Sequence, residues 1–278
     1  MISITRSPQT SHGKVFLVDP AWRERLVRIG IGEGQSWSQL EPGQRVSGSP
    51  HSGCFRVELD DGEMVYFKRY AYPPKRWFEF MLRPGKAGVE AWAYTTLQQL
   101  DIPTLDVLAY GEHRVLGSLV ASFIVTREIP GSQDLSKYGP EVWYHLPADE
   151  RRRIYDNISR KLIAQMQKAH GACFFHHDLK WRNILLQQEG DSFTPVWIDA
   201  PRASQMHLRR HRGVVVDFSG LARIAISLLS KYDRMRFVWR YLGDSRQPGD
   251  ASRLYRDVAR HLGRRMPSKI VPTEKGRA

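Results

Sequence analysis

Cysteine is scarce in this chain. Only Cys54 and Cys173 occur among 278 residues, and neither sits in a CxxC or a Cys/His ligand spacing. That argues against a disulfide framework or a zinc module and fits a reducing cytoplasm. Long apolar runs are missing as well: no window approaches the ~18 consecutive apolar residues of a membrane-spanning helix. Any membrane contact is therefore expected to be peripheral. The opening residues, MISITRSPQTSHGKVF, lack the apolar stretch of a secretory signal. Internal repeats and low-complexity tracts are absent, which excludes a solenoid. No nucleic-acid recognition motif is present either.

What the chain does have is positive charge: 42 Lys and Arg against 29 Asp and Glu, a formal +13. Such a balance favours anionic partners, whether phosphorylated substrates, nucleic acid or an anionic membrane face, over a solvated basic surface kept for solubility. The 41% hydrophobic content is enough for one large domain or for two lobes.

Two alternating runs, 54–59 and 64–70, flank Asp60-Asp61-Gly62 and predict a β-hairpin. Val89, Ala93, Leu97 and Leu100 then share one helical stripe, which Ile102-Pro103 ends. TLDVLAYGEHR and GSLVASFIVTREI read as two further strands. Beyond a turn-rich connector, Ile154, Ile158, Leu162 and Met166 mark a long amphipathic helix, with Asp149-Glu150 at its start and Gly171 just past its end. PVWIDA reads as a short strand, and a last helix is expected over about 215–230. The resulting expectation is an N-lobe over 1–130, its first 45 residues an extension of undecided structure. A helical C-lobe over 131–265 and a basic tail over 266–278 follow, with a ligand cleft between the lobes.

The segment FFHHDLKWRNILL, residues 174–186, raises a choice between a metal site, a nucleic-acid patch, a phosphotransferase loop and a busy polar turn. In a protein-kinase catalytic loop an Asp orients the attacking hydroxyl, and an Asn five positions on holds a metal ion. Asp178 and Asn183 have that spacing, His176 fills the first position, and Lys180 follows the Asp by two. His177 replaces the usual Arg. Phosphate-bound Mg²⁺ needs a further oxygen ligand, and Asp199 at the end of VWID supplies one, although Asp-Phe-Gly has become Asp-Ala-Pro. Lys68 on the second hairpin strand and Glu90 early on the next helix suit an ion pair that positions ATP phosphates. Gly48 and Gly53 lie in the preceding SGSPHSGCF, where backbone N–H groups can approach phosphate. Taken singly, Lys68 and Glu90 are no more than an exposed strand lysine and a solvated helix face.

On these residues the chain resembles the protein-kinase-like superfamily over roughly residues 45–230. The segment HHDLKWRNILL…WIDAPRAS, followed by a basic run and VVDFSGLARI, is similar to the bacterial lipopolysaccharide core kinases that phosphorylate Kdo or heptose. The resemblance implies an α+β, protein-kinase-like bilobal fold, with a small, mostly antiparallel β N-lobe carrying one key helix and a mostly helical C-lobe. It implies ATP and Mg²⁺, with Asp178 as catalytic base and Lys180 stabilising the transferred phosphoryl group. Asn183 and Asp199 would hold Mg²⁺, while Lys68 and Glu90 position ATP. The backbone of Glu128 and Ile129 would meet adenine, Asp134 the ribose, and Asp217 would brace the loop. His176 reads as loop support; His177 is either a solvated neighbour or a substrate contact. Arg209, Arg210 and Arg212 read as a solvated loop or, as the resemblance implies, as contacts to an anionic acceptor.

The implied function is transfer of the ATP γ-phosphate to a heptose or Kdo hydroxyl of the lipopolysaccharide inner core. An anionic glycolipid is then the acceptor and the inner face of the inner membrane the place of work, from the cytoplasmic side. The rivals are a kinase for another small-molecule or protein acceptor and a pseudokinase scaffold. The short span from Asp199 to Asp217 leaves little room for a protein-kinase activation segment, and the full set of catalytic residue types argues against a scaffold.

Overall fold

The computed structural model describes residues 10–244 and 247–265, so the expected basic tail lies outside the described residues. The chain divides into two compact units, Met1–Ser132 with Val196–Ala203, and Gln133–Pro195 with Ser204–Ala278. The division is not a single cut at residue 130. The short segment after the last long strand is held by the first unit, where the Trp197 N–H donates to the Pro103 carbonyl (2.9 Å) and Thr104 Oγ1 donates to the Trp197 carbonyl (2.7 Å).

The first unit is built on β1 (Gly13–Val18), α1 (Arg23–Arg28), β2 (Gln44–Ser49), β3 (Ser52–Glu58), β4 (Met64–Ala71), α2 (Lys86–Gln99), β5 (Val107–Val115) and β6 (Ser118–Arg127). Its strands form one six-stranded sheet in the order β1-β5-β6-β4-β3-β2. The N-terminal extension thus supplies both an edge strand, paired antiparallel to β5, and a helix where the sequence left helix and strand open. The expected hairpin is β3–β4, with Gly62 in the left-handed region (φ +81°) at its turn. Alternation decides the faces. Phe55, Val57, Val65 and Phe67 point to a core completed by Trp37, Phe123, Leu26 and Ile31. Lys68 and Tyr70 point to the opposite face, toward α2.

In the second unit the chain runs through β7 (Gln133–Asp134), α3 (Leu135–Glu141), α4 (Ala148–Gly171), β8 (Phe174–Phe175), β9 (Ile184–Glu189), β10 (Ser192–Trp197), β11 (Ser204–Gln205), α5 (Arg210–Leu228), α6 (Lys231–Leu242) and α7 (Asp250–Arg265). Helix α4 runs through Gly171 rather than stopping before it, and the left-handed residue that turns the chain is Cys173 (φ +60°). Helix α5 begins five residues earlier than its apolar pattern suggests. Arg209 is left-handed (φ +63°) and its carbonyl accepts from the Arg212 N–H at 3.0 Å, which starts the first turn. The basic run is therefore a helical turn rather than a loop.

Candidate active site

In the first unit the site grows from the contact between β4 and α2. Lys68 Nζ donates to both carboxylate oxygens of Glu90, each at 3.1 Å, and to Asp199 Oδ1 at 2.5 Å. Glu90 is only 3% exposed. Two tyrosines complete its shell: Tyr70 Oη donates to Oε2 at 3.2 Å and Tyr94 Oη to Oε1 at 2.7 Å. Tyr94 also accepts the Asp199 N–H at 3.0 Å, and Asp199 is left-handed (φ +57°). One hydroxyl therefore fixes both carboxylate-bearing residues.

The charge state follows from this shell. Burial opposes the Lys68 ammonium, but Glu90 and Asp199 outweigh it and hold its pKa well above the ordinary value. Burial and the Glu90 charge push Tyr70 and Tyr94 well up, so both stay neutral donors. One cation thus faces two carboxylates. The surplus negative charge lies at Asp199, whose side chain is 36% exposed, and a divalent cation suits it. Among the described residues no group of three or more His, Cys, Asp and Glu side chains is arranged to enclose a metal. Mg²⁺ needs no such cage, because it usually keeps waters and phosphate oxygens beside one or two protein oxygens.

Gly48 and Gly53 are paired across the β2–β3 hairpin. A Cβ on Gly48 would lie 2.5 Å from the Ser52 carbonyl oxygen, and one on Gly53 would lie 2.6 Å from the Phe55 ring. Close packing of the hairpin itself requires both glycines. At Glu128 the backbone N–H already donates to the Met64 carbonyl (3.0 Å), and the carboxylate is forked onto Arg56 at 2.9 and 3.1 Å. The Glu128 N–H and carboxylate are thus both engaged within the fold.

In the second unit the loop between β8 and β9 is drawn together as a cluster. Lys180 Nζ lies 2.5 Å from Asp178 Oδ1. Asn183 Nδ2 donates to the Asp178 carbonyl at 2.8 Å and reaches Oδ2 at 3.3 Å. Asp217 on α5, fully buried, holds the loop from below. It accepts the His177 N–H (2.7 Å) and the His176 N–H (3.0 Å), and His170 Nε2 lies at 3.2 Å. His170 is in turn 2.8 Å from the Tyr241 hydroxyl, whose pKa burial pushes up to about 12. His176 is fully buried, and its Nδ1 accepts the Asp178 N–H at 3.3 Å, a supporting role.

Several expected contacts have other work. His177 is left-handed (φ +61°), and its ring lies 2.7 Å from Ser204 Oγ. Asp134 Oδ1 caps α3, accepting from the Ser136 N–H and hydroxyl, both at 2.6 Å. Arg210 reaches the His170 carbonyl at 3.0 Å, while Arg209 and Arg212 are exposed beside it. Trp181 packs inside the unit and donates to the Leu221 carbonyl at 2.9 Å. The sequence reading missed Tyr70 and Tyr94. Their signals were spacing: Tyr94 follows Glu90 by one helical turn, and Tyr70 follows Lys68 by one strand period. It also missed an apolar cavity of about 430 Å³ in the second unit, lined by Tyr138, Trp143, Leu162, Phe218, Leu254 and Val258 among others.

A mixed α+β chain with a strand lysine clamped by a helix glutamate, and with an Asp-x-Lys…Asn loop braced by a buried Asp, has the parts of a kinase-like protein. The fold agrees: the solved structure "WaaP in complex with acyl carrier protein" matches with a TM-score of 0.68 at 21% identity, over 90% of this chain and 98% of that one. The chain belongs to the lipopolysaccharide kinase (Kdo/WaaP) family, whose model matches residues 75–241. That span starts later than the expected 45–230, so Lys68 and the two hairpin glycines lie outside it. No curated protein matches the chain significantly.

Proposed function

We propose that the protein is an ATP- and Mg²⁺-dependent kinase that phosphorylates a heptose or Kdo hydroxyl of the lipopolysaccharide inner core. The observation that carries this reading is the Lys68–Glu90–Asp199 cluster, a fixed cation beside a carboxylate with charge to spare. In this reading Lys68 binds the nucleotide phosphates. Asp199 and Asn183 would each offer a protein oxygen to Mg²⁺, which when bound neutralises phosphate charge. Asp178 receives the proton of the acceptor hydroxyl as its oxygen bonds to the γ-phosphorus and the bond to the departing ADP breaks. Lys180, against Asp178, offsets charge on the transferred group. Arg209 and Arg212, exposed at the positive end of α5, where cations are disfavoured, serve as counter-charges for acceptor phosphate or carboxylate.

Incubation of the purified protein with labelled ATP, Mg²⁺ and core oligosaccharide tests the reading. Label in the sugar, lost in Asp178→Ala, supports it. Absence of label with every core acceptor, together with unchanged core phosphorylation in cells carrying the variant, rejects it. Acyl carrier protein is a further proposed partner, because the structure of like fold was captured with one and the 430 Å³ cavity suits an apolar chain. Intact-mass analysis of the freshly purified protein would reveal a co-purifying carrier protein.

A further inference from the structure

The segment PPKRWFEFMLRPGK, residues 73–86, joins β4 to α2 in the first unit and exposes apolar side chains that the fold does not use. Phe78 is 87% exposed and Leu82 63%, with Met81 partly exposed; Leu116, at the β5–β6 turn, is 82% exposed. The two tips form one surface. The Leu82 N–H donates to the Gly117 carbonyl at 3.0 Å, and Gly117 abuts the side chains of Leu82 and Met81.

This knob is held firmly. Arg114, fully buried and ion-paired with Glu112, donates to the carbonyls of Phe80 (3.3 Å), Arg83 (2.5 Å) and Gly117 (2.8 Å). Tyr72 packs edge-on against Phe80 at 4.6 Å, and its carbonyl takes the Trp77 indole N–H at 3.0 Å.

Two features set the surface apart from ordinary exposed loops. Leu82 (φ +53°) and Leu116 (φ +48°) both sit in the left-handed region, which disfavours residues with a Cβ and suits Gly or Asn. Neither leucine recovers that cost by burial within the fold. The rim is also basic: Lys75, Arg76 and Arg83 stand against one carboxylate, Glu79, which Arg76 already binds at 2.8 Å, while Lys86 turns back over the Tyr70 ring at 5.6 Å.

We propose that this knob is a membrane anchor, with Phe78, Met81, Leu82 and Leu116 entering the headgroup–acyl boundary of an anionic phospholipid bilayer. The basic rim then meets lipid phosphates. Convex apolar tips inside a cationic ring match interfacial binding, in which apolar burial and attraction to anionic lipid act together. The proposal deepens the glycolipid-kinase reading and rests on it for its purpose: a docked first unit keeps the enzyme beside a lipid-borne acceptor.

The test is flotation of the full chain with phosphatidylglycerol–phosphatidylcholine vesicles and with phosphatidylcholine vesicles. The parent is expected to float with the anionic vesicles only, and added salt should weaken its binding. Leu82→Asn/Leu116→Asn should bind at least tenfold more weakly while melting no lower than the parent, because Asn accepts the left-handed backbone. Phe78→Ser should weaken binding similarly. A parent that ignores anionic vesicles, or variants that bind as tightly as the parent, overturns the anchor. Kinase assays separate the two readings: the variants should phosphorylate water-soluble core oligosaccharide normally and vesicle-borne lipopolysaccharide more slowly. Lost flotation in the variants, in a protein that labels no sugar at all, supports the anchor and rejects the acceptor.

Discussion

At the scale of single residues, the site depends on hydroxyls and carboxylates with more than one partner. Asp178→Asn keeps the loop's shape but removes the proposed proton acceptor. It is expected to lower kcat by roughly 10²–10⁴-fold, a range typical of general base loss, while the melting shift induced by Mg²⁺ and nucleotide persists. Tyr94→Phe strips a donor from buried Glu90 and an acceptor from the Asp199 N–H. Unfolding in urea should show a loss of about 1–3 kcal/mol, the cost of buried polar groups left unsatisfied, and KM for ATP should rise. The contrast between these residues shows what the sequence made legible. Asp178, Asn183 and Lys68 stood out as candidates because the chemistry proposed for them imposes a pattern along the chain. Tyr94 and Tyr70 were not, since only the packing of α2 on β4 gives a tyrosine there anything to hold.

At the scale of elements, α5 positions the Asp178 loop through a glycine as well as through Asp217. A Cβ on Gly220 would lie 2.4 Å from the Leu179 carbonyl oxygen, inside the loop itself. Backbone cannot yield as a side-chain tip can, so Gly220→Ala should push the loop away and destabilise the protein by about 1–3 kcal/mol, as overpacking does. Activity should fall further than the loss of folded protein explains, which a comparison of specific activity with circular dichroism would reveal. The β3–β4 hairpin and α4 were legible from alternation, a turn signal and apolar periodicity. The start of α5 was not: Arg210, His211 and Arg212 carry no apolar pattern, and their turn is held by Arg210 on the His170 carbonyl and His211 on Asp257 (2.9 Å). Likewise, β1 was obscured because an edge strand needs only a partner, and the partner, β5, lies far along the chain.

At the scale of the whole molecule, buried and half-buried phenols set a limit on alkaline stability. Burial pushes Tyr72, Tyr155 and Tyr241 up to about 12, above the ordinary value of 10. Between those values the native state keeps phenolic protons that the unfolded chain releases. The unfolded state then binds fewer protons, and stability falls as pH rises through that window. Denaturant midpoints should hold below pH 10 and decline above it, with the tyrosinate absorbance of these residues appearing only on unfolding. The excess of positive charge is a property of the same scale, and part of it is concentrated around the apolar tips of the first unit.

The clamp on Lys68 has a consequence for how the resting enzyme is assembled. Active-site charges often repel one another, so neutralising them usually raises stability at the expense of turnover. Here the relation is reversed: Glu90 is buried, and Lys68 is the counter-ion it shares with Asp199. A Lys68→Met enzyme should therefore be both inactive and less stable than its parent, with a lower melting temperature even without nucleotide. The lysine acts as a placeholder, folding the pocket around a balanced set of charges before any ligand arrives. In the proposed reading, nucleotide binding would be an exchange of counter-ions at Asp199, an ammonium for a metal.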